Sequence, residues 1–177
     1  MSSYLDNDSS TDEEGQNSVD PIAQEQAKME ATELKTIGNE AFGKGDYDAA
    51  LEQYTKAVNV LKSAKCKPDA VILLNRSATY LALKRYVPAL YDANQAEQLD
   101  PTNWKATWRQ GMALGGMTRK SFRAKQAIVA FDKCLASPTL PANKKAEVQS
   151  AADKARAVMK AIDEATPMPD MSNCMPS

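Results

Sequence analysis

The sequence predicts an all-α protein of seven helices, in which three helix–turn–helix repeats are followed by one capping helix. Three stretches of the chain align with one another. In each, small and bulky apolar residues recur three or four positions apart, which is the spacing of one helical face. No run alternates between apolar and polar residues as a half-buried strand does. A helical repeat protein is therefore expected.

The aligned stretches are predicted to be the second helix of each repeat. YDAALEQYTKA begins at Tyr47, YVPALYDANQA begins at Tyr86 and AIVAFDKC begins at Ala127. Small residues in these stretches allow a partner helix to approach closely, while Tyr54 and Phe131 fill the space beside them.

A partner helix is predicted upstream of each stretch. The three partners contain the apolar positions within 34–41, 71–81 and 104–114, and they end at turns near 43–46, 84–85 and 115–116. Asp100-Pro101-Thr102 marks the boundary between the second and third repeats, because proline stops one helix and can open the next.

The last predicted helix follows Pro141 and continues to about Ala165. Its apolar residues step by four, three, four and three positions, and they are Val148, Ala152, Ala155, Met159 and Ile162. The rest of this segment is mostly charged or polar, so the helix is amphipathic. Such a helix can cover the last interface of a stack of repeats. Separately, Cys134 is expected at a small-residue core position.

The composition excludes several kinds of catalytic and metal site. Among its 177 residues the chain has no histidine, which excludes Ser-His-Asp and Cys-His catalysis and Cys₂His₂ zinc sites. The three cysteines, Cys66, Cys134 and Cys174, are too far apart for a CxxC pair or a Cys₄ site. We expect no enzyme activity, no metal and no cofactor, and a reducing compartment.

The net charge of −1 is unevenly distributed. Residues 1–20 carry six acids and no base, and they predict a disordered acidic tail. Residues 166–177, with three prolines and one acid, predict a second disordered tail. The folded domain expected over 21–165 keeps all 22 bases and 16 of the 23 acids, a net charge of about +6. No apolar segment is long enough for a signal or a membrane span, so a cytoplasmic protein with possible nuclear access is expected.

A set of polar residues recurs on the first helix of each repeat. Counted from the start of each repeat, Lys35 and Asn39 are at positions five and nine of the first, and Asn75 is at position six of the second. Lys105 and Arg109 are at positions two and six of the third. These positions share one helical face, so stacking is expected to bring them toward one surface. Asparagine is a poor residue inside a helix unless its amide has a partner, which argues against a merely solvated face.

The repeat spacing resembles that of the tetratricopeptide repeat, whose unit of about 34 residues forms two antiparallel helices. Repeat one is expected over 31–64, repeat two over 70–103 and repeat three from 104. The residues that carry the likeness are Gly38, Ala50, Tyr54 and Ala57, then Ala89, Ala93, Ala96 and Pro101, then Gly111, Leu114, Ala127 and Phe131. The resemblance implies a right-handed superhelical solenoid. Extra residues are expected in the 64–68 connection and in a turn over 117–125.

The polar set is similar to the dicarboxylate clamp of co-chaperone tetratricopeptide domains. Lys35-Thr-Ile-Gly-Asn39 resembles the KxxGN motif of that family, Asn75-Arg-Ser-Ala78 resembles NRSA, and Lys105-Ala-Thr-Trp-Arg109 resembles KxxxR. The resemblance implies binding of the C-terminal EEVD peptide of cytosolic heat-shock chaperones of the 70-kDa or 90-kDa class. Apolar contacts for the penultimate valine are expected from Phe42, Ala78, Leu81 and Met112.

Three classes of function stay open from the sequence. The favoured one is a chaperone-tail adaptor. The others are a scaffold for an unrelated peptide and the targeting domain of a larger phosphatase, prolyl isomerase or ubiquitin ligase. Nucleic acid is not an expected partner because the basic residues are neither clustered nor interleaved with stacking aromatics, and no membrane partner is expected. The acidic segment around Asp12-Glu13-Glu14 is either a solubilising tail or a weak competitor for the basic groove.

Overall fold

The computed structural model of the protein describes residues 20–117 and 121–165. Within these ranges the chain forms helices and turns and no strand, which confirms the predicted all-α fold. The seven helices are α1 (Pro21–Gly43), α2 (Tyr47–Ser63), α3 (Ala70–Ala82), α4 (Tyr86–Leu99), α5 (Trp104–Gly116), α6 (Ser121–Leu135) and α7 (Ala142–Ala165).

The helices form a curved stack of antiparallel pairs. Short connections make each helix antiparallel to the one before it, so α1, α3, α5 and α7 run in the same direction. These odd-numbered helices contact one another in sequence, whereas α2, α4 and α6 make no such contacts within the described ranges. The odd-numbered helices therefore line the inner surface of the curve.

Two glycines set the distance between paired helices. A methyl carbon placed on Gly38 would lie 2.7 Å from the ring of Tyr54, and one on Gly111 would lie 2.4 Å from the ring of Phe131. Both distances are shorter than a van der Waals contact, so each glycine is needed for the aromatic ring to pack against the first helix. The expected roles of Tyr54 and Phe131 are confirmed.

Helix α1 begins ten residues before the predicted start of repeat one. Asp20 caps it by accepting a hydrogen bond of 2.9 Å from the amide of Ile22, and Pro21 occupies the first turn. Further along, Nε2 of Gln24 donates hydrogen bonds of 3.3 Å to the carbonyl oxygens of Ala64 and Lys65. The first turns of α1 thereby hold the connection between repeats one and two.

The predicted turn over 117–125 is wrong at its C-terminal end. Helix α6 already begins at Ser121, so the last five of these residues are helical. Ala124 and Ala127 are three positions apart and fully buried, and their packing explains why the helix includes this segment. Residues 118–120 lie outside the described ranges.

The capping helix α7 covers the end of the stack with the predicted stripe. Val148, Ala152 and Ala155 are buried, whereas Met159 and Ile162 are only partly buried. Cys134 of α6 is fully buried in the same apolar cluster, as expected. The first three residues of this apolar stripe therefore pack into the core, and the last two lie at its edge.

A buried ion pair joins the two helices of repeat two. Nε and Nη2 of Arg76 each donate a hydrogen bond of 2.8 Å to a different carboxylate oxygen of Asp92. Burial lowers the pKa of Arg76, but the hydrogen bonds and charge of Asp92 outweigh it, and the pKa lies above its ordinary value. The sequence reading of NRSA did not assign Arg76 a role, and the structure shows it fixing α3 on α4.

The two predicted disordered tails lie outside the described residues, except for Asp20, which caps α1. Within the described ranges, no helix combines the length and the apolar character that a membrane span requires.

Candidate functional site

The site is built around Asn39, which the C-terminal half of α1 brings to the inner surface. Gly38 admits the ring of Tyr54, whose hydroxyl donates a hydrogen bond of 2.7 Å to Oδ1 of Asn39. Nδ2 of Asn75 on α3 donates a second hydrogen bond of 2.9 Å to the same oxygen. The Nδ2 group of Asn39 is left with no acceptor among the described residues, so it is available to a ligand.

A cavity of about 230 Å³ opens beside these side chains. It is lined by residues of α1, α2, α3 and α5, namely Asn39, Phe42, Gly43, Tyr54, Asn75, Ala78 and Arg109. Three of the five predicted clamp residues, Asn39, Asn75 and Arg109, therefore meet at one cavity. Tyr54 also belongs to it. Sequence reasoning used Tyr54 only as a packing residue, although its position opposite Gly38 was a usable signal.

Arg109 reaches the cavity from the second turn of α5 with an unsatisfied donor. Its Nε atom is buried and has no hydrogen-bond acceptor among the described residues. Burial lowers the pKa of the guanidinium below its ordinary value, while the charge of Glu147 on α7 raises it in part. Arginine remains protonated in proteins, so this cation is held at a cost in desolvation that an anionic ligand would offset.

Lys35 and Lys105 lie one helical turn before Asn39 and Arg109 on the same faces of α1 and α5. Asn103 caps α5 by accepting a hydrogen bond of 3.2 Å from the amide of Lys105, which places this lysine in the first turn. Neither lysine lines the cavity. Lys35 is partly buried and Lys105 is exposed, and neither forms an ion pair with another described residue. Both are therefore cations without an ion-pair partner among the described residues, one helical turn from residues of the cavity, and this position is called its rim below.

The four predicted apolar contacts do not form one group. Phe42 and Ala78 line the cavity, and Phe42 packs edge-on against Tyr47 with 5.2 Å between ring centroids. Leu81 and Met112 instead line a separate groove of about 390 Å³. Leu81 and Met112 share that groove with residues of α7, so the four residues line two separate sites, and their contact with a peptide stays a prediction.

This second site, called the apolar groove below, lies between the ends of α3 and α5 and the middle of α7. Its lining is mostly apolar or small and includes Leu81, Tyr86, Met112, Gly116, Phe131, Ala155 and Val158, with Lys84 and Lys154 among the other residues. A methyl carbon on Gly116 would lie 2.2 Å from the ring of Tyr86, so this glycine gives Tyr86 its place in the wall. The contribution of α7 was not foreseen from the sequence.

Comparisons with known proteins point to one kind of domain. The chain is 38% identical over 103 residues, or 56% of its length, to Heat shock protein STI1 of Saccharomyces cerevisiae. Among solved structures, it is similar to the TPR2B domain of yeast Sti1 in a pHsp70 complex, with a TM-score of 0.62 and 26% identity over 73% of this chain and 98% of that one. It is also similar to the first TPR of Spaghetti (RPAP3) bound to the HSP90 peptide SRMEEVD, with a TM-score of 0.60 and 25% identity over 76% and 94% of the two chains.

The curated relatives are much longer proteins. The chain spans 17% of STI1 and between 9% and 24% of seven other curated relatives. No family model matches the chain.

Proposed function

The described part of this chain is a tetratricopeptide repeat domain, and we propose that it serves as a co-chaperone adaptor whose inner groove binds the C-terminal EEVD peptide of heat-shock chaperones of the 70-kDa or 90-kDa class. One observation carries the proposal: Arg109 lines one cavity with Asn39 and Asn75, and its buried Nε has no acceptor among the described residues. A peptide carboxylate is the group that such a cavity lacks.

The donors suit a C-terminal aspartate. This residue presents a main-chain carboxylate and a side-chain carboxylate, which together offer four acceptor oxygens. Asn39 and Arg109 supply oriented N–H donors inside the cavity. At its rim, Lys35 and Lys105 add two flexible cations. Hydrogen bonds to charged groups contribute about 1.5–3 kcal/mol each before ordering costs.

The apolar surfaces divide between two parts of the same peptide. Phe42 and Ala78 adjoin the donors, so they are proposed to contact the penultimate valine. The apolar groove lies farther along the inner surface, toward α7. We assign Leu81 and Met112 to an apolar side chain upstream of the EEVD residues, in place of the valine contact expected from the sequence.

The likeness to peptide-bound repeat domains supports the proposed binding of an EEVD peptide. Three of the similar structures carry peptides ending in EEVD, two described as an HSP90 peptide and one as an HSP70 peptide. These ligands belong to those proteins, and their transfer to this chain is the proposal. Because the relatives are longer, a role as the targeting domain of a larger protein also stays a prediction.

The test is a calorimetric titration of the full chain with two versions of an EEVD-ending peptide. The version with a free C-terminal carboxylate is expected to bind, and the C-terminal amide is expected to bind at least about tenfold more weakly, which corresponds to about 1.4 kcal/mol. Equal affinities would contradict the proposal and favour a scaffold that grips an internal peptide.

A further inference from the structure

We infer that the acidic segment of this chain, defined as residues 6–14, is a tethered competitor for its own inner groove. This inference rests on the proposed function, because it concerns access to the same carboxylate site. The segment contains Asp6, Asp8, Asp12, Glu13 and Glu14 and no base. It thus offers carboxylates that could occupy the cavity and its rim in place of those of a bound peptide.

The inner surface has the complementary charge. Arg109 at the cavity and Lys35 and Lys105 at its rim form no ion pair with another described residue. Lys84 and Lys154 line the neighbouring apolar groove. On α1, the cation nearest the start of the helix is Lys28, and it is paired with Glu25 at 3.3 Å. The first unpaired cation that the segment meets along α1 is therefore Lys35.

The lengths are compatible with this contact. Lys35 is 15 residues beyond Asp20, which corresponds to about 22 Å along a helix, and Asn39 is about 28 Å away. Asp12 precedes Asp20 by eight residues and can reach about 27 Å, while Asp6 can reach about 48 Å. Asp12 can thus reach Lys35, and Asp6 can reach the cavity.

Tethering makes even weak competition measurable. A ligand tethered to its own site has an effective concentration in the millimolar range when the tether is long enough to span the distance. With a dissociation constant of about 1 mM it would occupy about half of the grooves and weaken the apparent peptide affinity about twofold. A constant of about 0.2 mM would give about a sixfold effect.

The experiment uses the full chain and the free-acid EEVD peptide at low ionic strength. The variant Asp6→Asn/Asp8→Asn/Asp12→Asn neutralises the acids of the segment that are far enough from Asp20 to reach Lys35 or the cavity. It is expected to bind the peptide two- to sixfold more tightly than the unmodified chain. The difference should vanish in about 1 M salt, where the screening length is about 3 Å. Asp20 is left unchanged because it caps α1.

Two further variants identify the cause. Asp48→Asn/Glu52→Gln/Glu164→Gln removes the same charge from exposed surface ion pairs and should leave the affinity unchanged. Ser9→Glu/Ser10→Glu/Thr11→Glu adds charge to the segment and should weaken binding. Equal affinity of the unmodified chain and the first variant, or equal tightening by the control, overturns the inference alone. If no variant binds the peptide, the proposed function fails and the inference with it.

Discussion

Asn75 donates a hydrogen bond of 2.9 Å from Nδ2 to Oδ1 of Asn39, a residue 36 positions earlier in the chain. The two asparagines belong to the first helices of successive repeats, so this bond joins the repeats at the inner surface. Tyr54 donates to the same oxygen, so both hydrogen bonds of the Asn39 amide involve Oδ1, and Nδ2 has no acceptor among the described residues. The bond therefore both fastens two repeats and orients a donor.

Asn39→Asp should abolish peptide binding while the fold is kept. The carboxylate can still accept the two hydrogen bonds from Tyr54 and Asn75, but it cannot donate, and it repels a ligand carboxylate. We expect at least a tenfold loss of affinity in a calorimetric titration. Asn94→Asp, an equal change at an exposed position on α4, should bind like the unmodified chain; equal losses in both variants would show a general charge effect.

Lys105→Ala should weaken binding of the free-acid peptide about tenfold and leave helical content, measured by circular dichroism, unchanged. The reason is that Lys105 is exposed, and its proposed role is to offer charge to the ligand rather than packing to the fold. Lys56→Ala removes a lysine of similar exposure that is paired only with Glu52 on α2. Its affinity should not change. Loss of helicity in Lys105→Ala would instead assign this residue a structural role.

Arg109→Met should lose peptide binding and gain stability. The unmodified side chain holds a buried Nε without an acceptor, and an unsatisfied buried polar group costs about 1–3 kcal/mol. Methionine fills much of the same space without that cost, so the free energy of unfolding in urea should rise by about 1 kcal/mol. A clear fall in stability would mean that the guanidinium is satisfied in the free protein.

Gly111→Ala should destabilise the third repeat by about 1–3 kcal/mol, because the added methyl group would overlap the ring of Phe131. Gly115→Ala is the matched control on the same helix, since a methyl group there has no neighbour within 4 Å. It should be neutral or stabilising by up to about 1 kcal/mol through helix propensity. Thermal unfolding followed by circular dichroism compares the two, and similar melting temperatures would contradict the packing argument.

The repeats, the small-residue positions and the inner-face residues could be predicted because they depend on helical periodicity alone. Spacings of three and four place Gly38 and Gly111 on the packing faces of first helices, and Tyr54 and Phe131 on those of second helices. That each glycine meets an aromatic ring is decided by how the helices pack. The start of α6 could not be predicted in this way. It depends on the burial of Ala124, and a segment with few apolar residues carries little local signal of that contact.

Local spacing also places Lys35 with Asn39 and Lys105 with Arg109, since residues four apart share a helical face. It says nothing of the distance between helices. The packing of the helices decides that Asn39, Asn75 and Arg109 line one cavity. It also decides that Leu81 and Met112 line the apolar groove with residues of α7. Burial of the Arg109 Nε likewise arises only when the helices pack, because desolvation is a property of all the surrounding atoms and not of the residue's own helix.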